Sequence, residues 1–154
     1  MSRVTSHEGF DLDAREELRL ALELRLTATA VDGAMQRRLD RHGIRYAHWV
    51  YLRVLYHRDG ISQRALSAQV NRVGPNTVLV LNALSEMGLV RREQDAADGR
   101  AARVFLTATG RALTRKLMPL ARKVQDQALR GLPKQTLEQV KAALHRIRAN
   151  LSEK

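Results

Sequence analysis

The chain has 154 residues, a net charge of +11, 44% hydrophobic but only 4% aromatic residues, and no cysteine. That length is about one domain, able to bury roughly two-thirds of its unfolded surface without a disulfide or metal. The missing cysteine excludes disulfides, thiol redox sensing and thiolate metal sites, and the Leu, Ala and Arg content favours a mainly α chain.

His7, His42, His48, His57 and His145 are scattered without metal-ligand spacing, so no metal is expected. No 18-residue apolar run or signal-peptide core is present, which points to a soluble cytoplasmic protein with no membrane partner. Neither a nucleophile, a phosphate loop nor a metal constellation accompanies Glu16, Asp32 or His48. No catalytic residue, cofactor or enzymatic function is therefore expected.

The charge is unevenly spread. Residues 1–52 hold eight Arg and eight acids, and residues 53–110 hold eight Arg against five acids. Residues 111–154 hold six Arg and five Lys against three acids, and so supply +8 of the total. This basic tail either extends an electrostatic footprint along DNA or is a solvated face of the last helices.

After a patternless start, residues 11–42 read as a long first helix. Leu24, Ala28, Val31, Met35 and Leu39 recur at steps of three and four, and His42-Gly43 ends the helix. A second helix runs from about Tyr46 to His57 and is closed by Asp59-Gly60. It holds the only Trp and all three Tyr: Tyr46, His48, Trp49, Tyr51, Arg53, Tyr56 and His57 cluster there. In so aromatic-poor a chain this suggests a small-molecule pocket. The plainer alternative is a Trp49 core anchor with the other groups covering a helix face.

The stretch from Ile61 to Thr109 reads as helix, tight turn, helix and two-stranded hairpin. Ser62 can cap the third helix, with Ala65, Leu66 and Val70 facing inward. Asn71 and Gly74 shape the turn, and the fourth helix opens at Pro75. On that helix Thr77, Val80, Leu81 and Leu84 share the packing side, which leaves Pro75, Asn76, Val78, Leu79 and Asn82 free for a major groove. Gly88 stops the helix, and the strands LVRREQ and ARVFLT follow, with Val90, Val104 and Leu106 inward. Arg91, Arg92 and Arg103 can reach phosphates. In the loop Asp98 stands two residues before Arg100 and can hold its guanidinium outward for a narrow, negative minor groove.

Thr107 can cap a fifth helix carrying Leu113, Leu117, Leu120 and Val124, with a kink expected at Pro119. After a break at Gly131-Leu132-Pro133, Leu137, Val140, Leu144, Ile147 and Leu151 mark a sixth amphipathic helix. These helices carry more apolar surface than the winged module needs, so with the first helix they are expected to form a dimer interface. A monomeric helical cap is the competing reading.

The order of elements and the pieces HWVYLRVL, ISQRALSAQV, PNTVLVLNALSEMGLVRRE and DAADGRAARVFLTATGRAL resemble the MarR/SlyA family of winged-helix transcription regulators over roughly residues 12–151. The most specific part is GLVRR, the Asp98-Gly99-Arg100 signature and LTATGRAL behind a helix-turn-helix. The resemblance implies one MarR-like chain over 1–154. It places dimerisation helices at 11–42 and 108–151 and a winged helix-turn-helix lobe at 46–107. It further implies a homodimer on a pseudo-palindromic operator in double-stranded DNA, commonly acting as a repressor.

In such a protein Arg100 would enter the minor groove, held by Asp98, while Pro75, Asn76 and Val78 would read the major groove. Relatives similar to SlyA usually carry Arg where this chain has Leu79. An Arg can clamp guanine, whereas Leu packs on thymine methyls or sugars. The operator is thus expected to differ from the common one, or Arg72 to supply the missing contact.

The resemblance also implies a small aromatic effector, a carboxylate or phenolic, whose binding weakens operator affinity. Its site carries over onto Tyr46, His48, Trp49 and Arg53, with Arg as carboxylate clamp. Peroxide-sensing members that work through cysteine are excluded by composition. A different class also stays open: an architectural or counter-silencing protein that coats A·T-rich DNA with little sequence preference and no ligand.

Overall fold

A computed structural model describes residues 12–70, 75–94 and 102–152, with side chains from Arg19 onward and Pro75 described by its backbone alone. The elements are α1 (Leu12–Leu39), a short 3-10 turn (Asp40–His42), α2 (Tyr46–His57), β1 (Ile61–Ser62), α3 (Gln63–Gln69), α4 (Pro75–Glu86), β2 (Val90–Gln94), β3 (Ala102–Leu106), α5 (Ala108–Ala128) and α6 (Lys134–Ser152). The chain is mainly α with one small antiparallel sheet, as its sequence predicts. No described helix is long and apolar enough to cross a membrane.

The sheet has one strand more than the expected hairpin. Its order is β1-β3-β2, with Ile61 opposite Val104 and Val90 opposite Leu106. A two-residue strand is too short for any alternation to announce it. Its residues were legible only as the start of a capped helix, and they are that too: Ser62 Oγ accepts the Ala65 N–H at 3.1 Å.

The core lies where α2 meets α5, α1, α3, α4 and the sheet. Trp49, Tyr51, Leu52 and Leu55 of α2 are buried, as are Leu66, Leu81, Leu84, Val104 and Leu117. On α3, Leu66 and Val70 face inward as expected, but Ala65 is exposed. A small first-turn residue says little about the side it occupies.

Among its described side chains, the first helix buries only those at its C-terminal end. Met35 and Leu39 are in the core, whereas Leu20, Leu22 and Leu26 are more than half exposed. Gln36 at that end closes the entry to α2, whose preceding residue Arg45 offers no side-chain cap. Its Oε1 accepts the Tyr46 N–H at 2.6 Å, and its Nε2 donates to Asp40 Oδ1 and the Ile44 carbonyl. α5 continues as one element through Pro119, and α6 has no buried residue among those described.

Two backbone features join the last helices to the lobe. Thr107 Oγ1 accepts from the Gly110 N–H at 3.0 Å and donates to the Gly88 carbonyl at 2.6 Å, which pins the start of α5 to the end of α4. Behind that cap, a β-carbon on Gly110 would stand 1.9 Å from the Leu89 carbonyl oxygen. Only a glycine permits this approach.

Candidate nucleic-acid interface

α4 is amphipathic in the sense its sequence predicts. Thr77, Leu81 and Leu84 are buried and Val80 is half-buried, while Asn76, Val78, Leu79 and Asn82 face solvent. Leu79 is 65% exposed and Val78 41%. The helix is held from below by a polar relay. Tyr51 Oη on α2 lies 2.9 Å from Thr77 Oγ1, which donates to Ser67 Oγ of α3 at 3.1 Å. Three buried or half-buried hydroxyls thus fix the angle between α3 and α4, at the cost of apolar packing but with their bonding satisfied. The relay joins residues up to 26 positions apart, and no local pattern could have revealed it.

The hairpin stands beside that exposed face, and its arginines are engaged. Arg92 Nη2 donates to Asn82 Oδ1 at 2.8 Å and, more weakly, to the Val78 carbonyl at 3.4 Å. Arg91 pairs with Glu93 and covers the Phe105 ring at 4.6 Å. Arg103 donates to the Gly60 carbonyl at 3.0 Å, securing the bend that leads into β1. All three remain exposed, so each guanidinium keeps a face toward solvent.

The hairpin root has an anchor that sequence reasoning missed. Asp59 Oδ1 accepts the Leu106 N–H at 2.8 Å, and its Oδ2 pairs with Arg111 of α5 at 2.5 Å. Asp59-Gly60 was legible as a turn, and Gly60 does have a φ of +71°. That the same Asp bridges a strand and a helix depends on partners 47 and 52 positions away. Arg72, Asp98 and Arg100 lie outside the described residues, as does the loop carrying the last two, and the Pro75 side chain is likewise outside.

The second cluster is on α2. Tyr46, Trp49 and Arg53 line one side of a cavity of about 340 Å³ whose opposite wall is Met35 of α1 with Val124 and Gln125 of α5. Trp49 is buried, Tyr46 half-buried and Arg53 exposed at the mouth. His48 does not line this cavity. Its Nδ1 is buried without a hydrogen-bond partner among the described residues, and burial, then the nearby Arg45 charge, push its pKa below the ordinary histidine value. His48 is therefore held toward its neutral form. Among the described residues no group of His, Asp or Glu could hold a metal ion.

Residues 44–102 match the MarR family. Among solved structures, the chain is similar to a MarR-family transcriptional regulator from Silicibacter pomeroyi at 26% identity, covering 85% of this chain and 88% of that one with a TM-score of 0.73. It is also similar to S. aureus MepR in complex with DNA, at 23% identity, 84% and 96% coverage and a TM-score of 0.80. The transcriptional regulator SlyA matches at 21% identity, 86% and 94% coverage and a TM-score of 0.80.

Proposed function

We propose, from the premise that residues 44–102 belong to the MarR family, that this chain is a sequence-specific DNA-binding transcription regulator and not an enzyme. The observation that carries the reading is the exposed face of α4, Asn76, Val78, Leu79 and Asn82, lying beside a basic hairpin. A helix presenting a mixed apolar and amide face next to a hairpin suits major-groove reading by the one and backbone or minor-groove contact by the other. The S. aureus relative of the same fold was solved on DNA.

The regulator acts as a homodimer. α6 buries nothing among its described residues, and the N-terminal half of α1 exposes Leu20, Leu22 and Leu26. A second copy laid against these helices, 11–42 and 108–151, covers them and sets two reading lobes on a pseudo-palindromic operator. On this reading the protein is a cytoplasmic repressor.

A gel shift on DNA upstream of its own gene tests the proposal. Retardation that survives scrambled competitor is expected, and Arg100→Ala should weaken it about tenfold or more, as for loss of a minor-groove anchor. Binding indifferent to competitor sequence, with a steep salt dependence, would favour an architectural protein instead.

The α2 cavity is the effector site. Its volume falls in the range of small-ligand pockets, and Tyr46, Trp49 and Arg53 combine aromatic walls with a cation for a carboxylate. In a screen of aromatic acids, a binder at about 100 times its Kd should raise Tm by about 8 °C. Arg53→Met should abolish that rise for carboxylates while leaving the unliganded Tm near wild type. An equal rise in the variant would take Arg53 out of the site.

A further inference from the structure

The contact between Arg92 and Asn82 settles which edge of the Asn82 amide faces outward. A guanidinium only donates, so the group 2.8 Å from Arg92 Nη2 is the amide oxygen, and the NH2 is left for solvent. Asparagine ordinarily reads adenine through both ends of its amide at once, accepting from N6 and donating to N7. Arg92 occupies one of the two lone pairs of the amide oxygen and fixes the amide plane, which biases Asn82 away from that pairing and toward donation from its NH2.

We infer that Arg92 is a positioning residue that turns Asn82 into a donating reader. Asn82 then favours guanine or thymine at its place in each half-site, over adenine and most strongly over cytosine. The inference rests on the proposed role of α4 as the helix that enters the major groove. Guanine presents two adjacent acceptors, N7 and O6, and thymine presents O4; adenine offers N7 alone beside its amino donor, and cytosine offers the amide NH2 only an amino donor. Asn82 stands three and four residues after Leu79 and Val78, on the same face of the helix. Leu79 and Val78 are themselves exposed at 65% and 41% and offer only apolar contact. The Asn82 amide is thus the polar group of the central part of that face, and its orientation is set from β2 rather than by α4 itself.

The full-length protein is tested by selecting binders from a randomised duplex library and sequencing them. Asn82→Ala identifies the contacted position as the one whose preference it erases. At that position wild type should enrich guanine or thymine about tenfold over cytosine, and over adenine by a smaller factor. Arg92→Ala frees the amide oxygen and should move the preference to adenine. Asn82→Asp keeps an acceptor for Arg92 but has no donor, and should move it toward cytosine if any oxygen reaches the base and otherwise flatten it.

These shifts in base identity differ from a uniform loss of affinity, which is all that a structural or phosphate-contact role for Arg92 would give. Adenine enriched by wild type, an unchanged preference in Arg92→Ala, or no position altered by Asn82→Ala overturns the inference while sequence-specific binding stands. If wild type enriches no sequence at all, the regulator reading fails with it. Should Arg92→Ala not fold, Arg92→Met, which keeps the apolar stem, carries the same expectation.

Discussion

Trp49→Ala is expected to cost about 4 kcal/mol of folding stability, the range for removing a large buried aromatic side chain. Trp49 is 2% exposed, sits among α1, α2 and α5, and has a cavity on one side already. Because the neighbouring void is open at one edge, the new space joins it rather than collapsing. Urea titration should show a lower midpoint with little change in slope, since the surface exposed on unfolding is nearly the same. Trp49→Phe restores much of the buried area and should lose well under half as much. A Trp49→Ala protein as stable as wild type would mean that the residue is a cavity wall only and no part of the core.

Gly110→Ala should destabilise by about 3 kcal/mol, the upper part of the range for overpacking, although it removes a glycine from a helix. On propensity alone the change would stabilise by up to about 1 kcal/mol. The added carbon would meet the Leu89 carbonyl at 1.9 Å, and its neighbours are backbone, which cannot rotate away. Relief requires α5 to move off the end of α4, which breaks the Thr107 bond to Gly88. For a chain of this length, Tm should fall by about 10 °C. Thr109→Ala, at the exposed neighbour, is expected to change stability by less than about 0.5 kcal/mol. A Tm for Gly110→Ala within about 2 °C of wild type would show that the helix start yields without cost.

The two sites differ in how far the sequence discloses them. The buried and open sides of α4 were legible because 3.6-residue periodicity sorts Thr77, Leu81 and Leu84 from Asn76, Val78, Leu79 and Asn82 without knowledge of the rest of the chain. The caps at Ser62 and Thr107 were legible for the same reason, since donor and acceptor are three residues apart. The partners of Arg92, Arg103 and Asp59 were not. Each finds an acceptor or donor 10 to 52 positions away, and a sequence displays a charge without displaying what stands opposite it. Gly110 was visible as part of a motif, but a missing side chain gives no sign of the backbone that fills its place.

In the aromatic cluster of α2, composition singled out seven residues, and the fold divides them. Tyr46, Trp49 and Arg53 turn toward the cavity, Tyr51 turns to Thr77, and the ring of Tyr56 lies 5.9 Å from the Arg111 guanidinium. Two residues separate Trp49 on the cavity wall from Tyr51 beneath α4, so the cluster is divided between a cavity and the packing of a neighbouring helix.

The strand order β1-β3-β2 leaves β2 with a backbone edge that no other described strand covers. A bare strand edge is a template on which another chain can add itself, and proteins that must stay dispersed guard such edges with charge. Arg91, Arg92 and Glu93 are exposed along β2, three consecutive charged residues in a five-residue strand. The opposite edge, β1, is only two residues long and offers little to pair with. This exposed run of charge therefore protects the hairpin against edge-to-edge stacking. Trading these charged residues for β-formers such as valine would leave the β2 edge open to pairing with another chain.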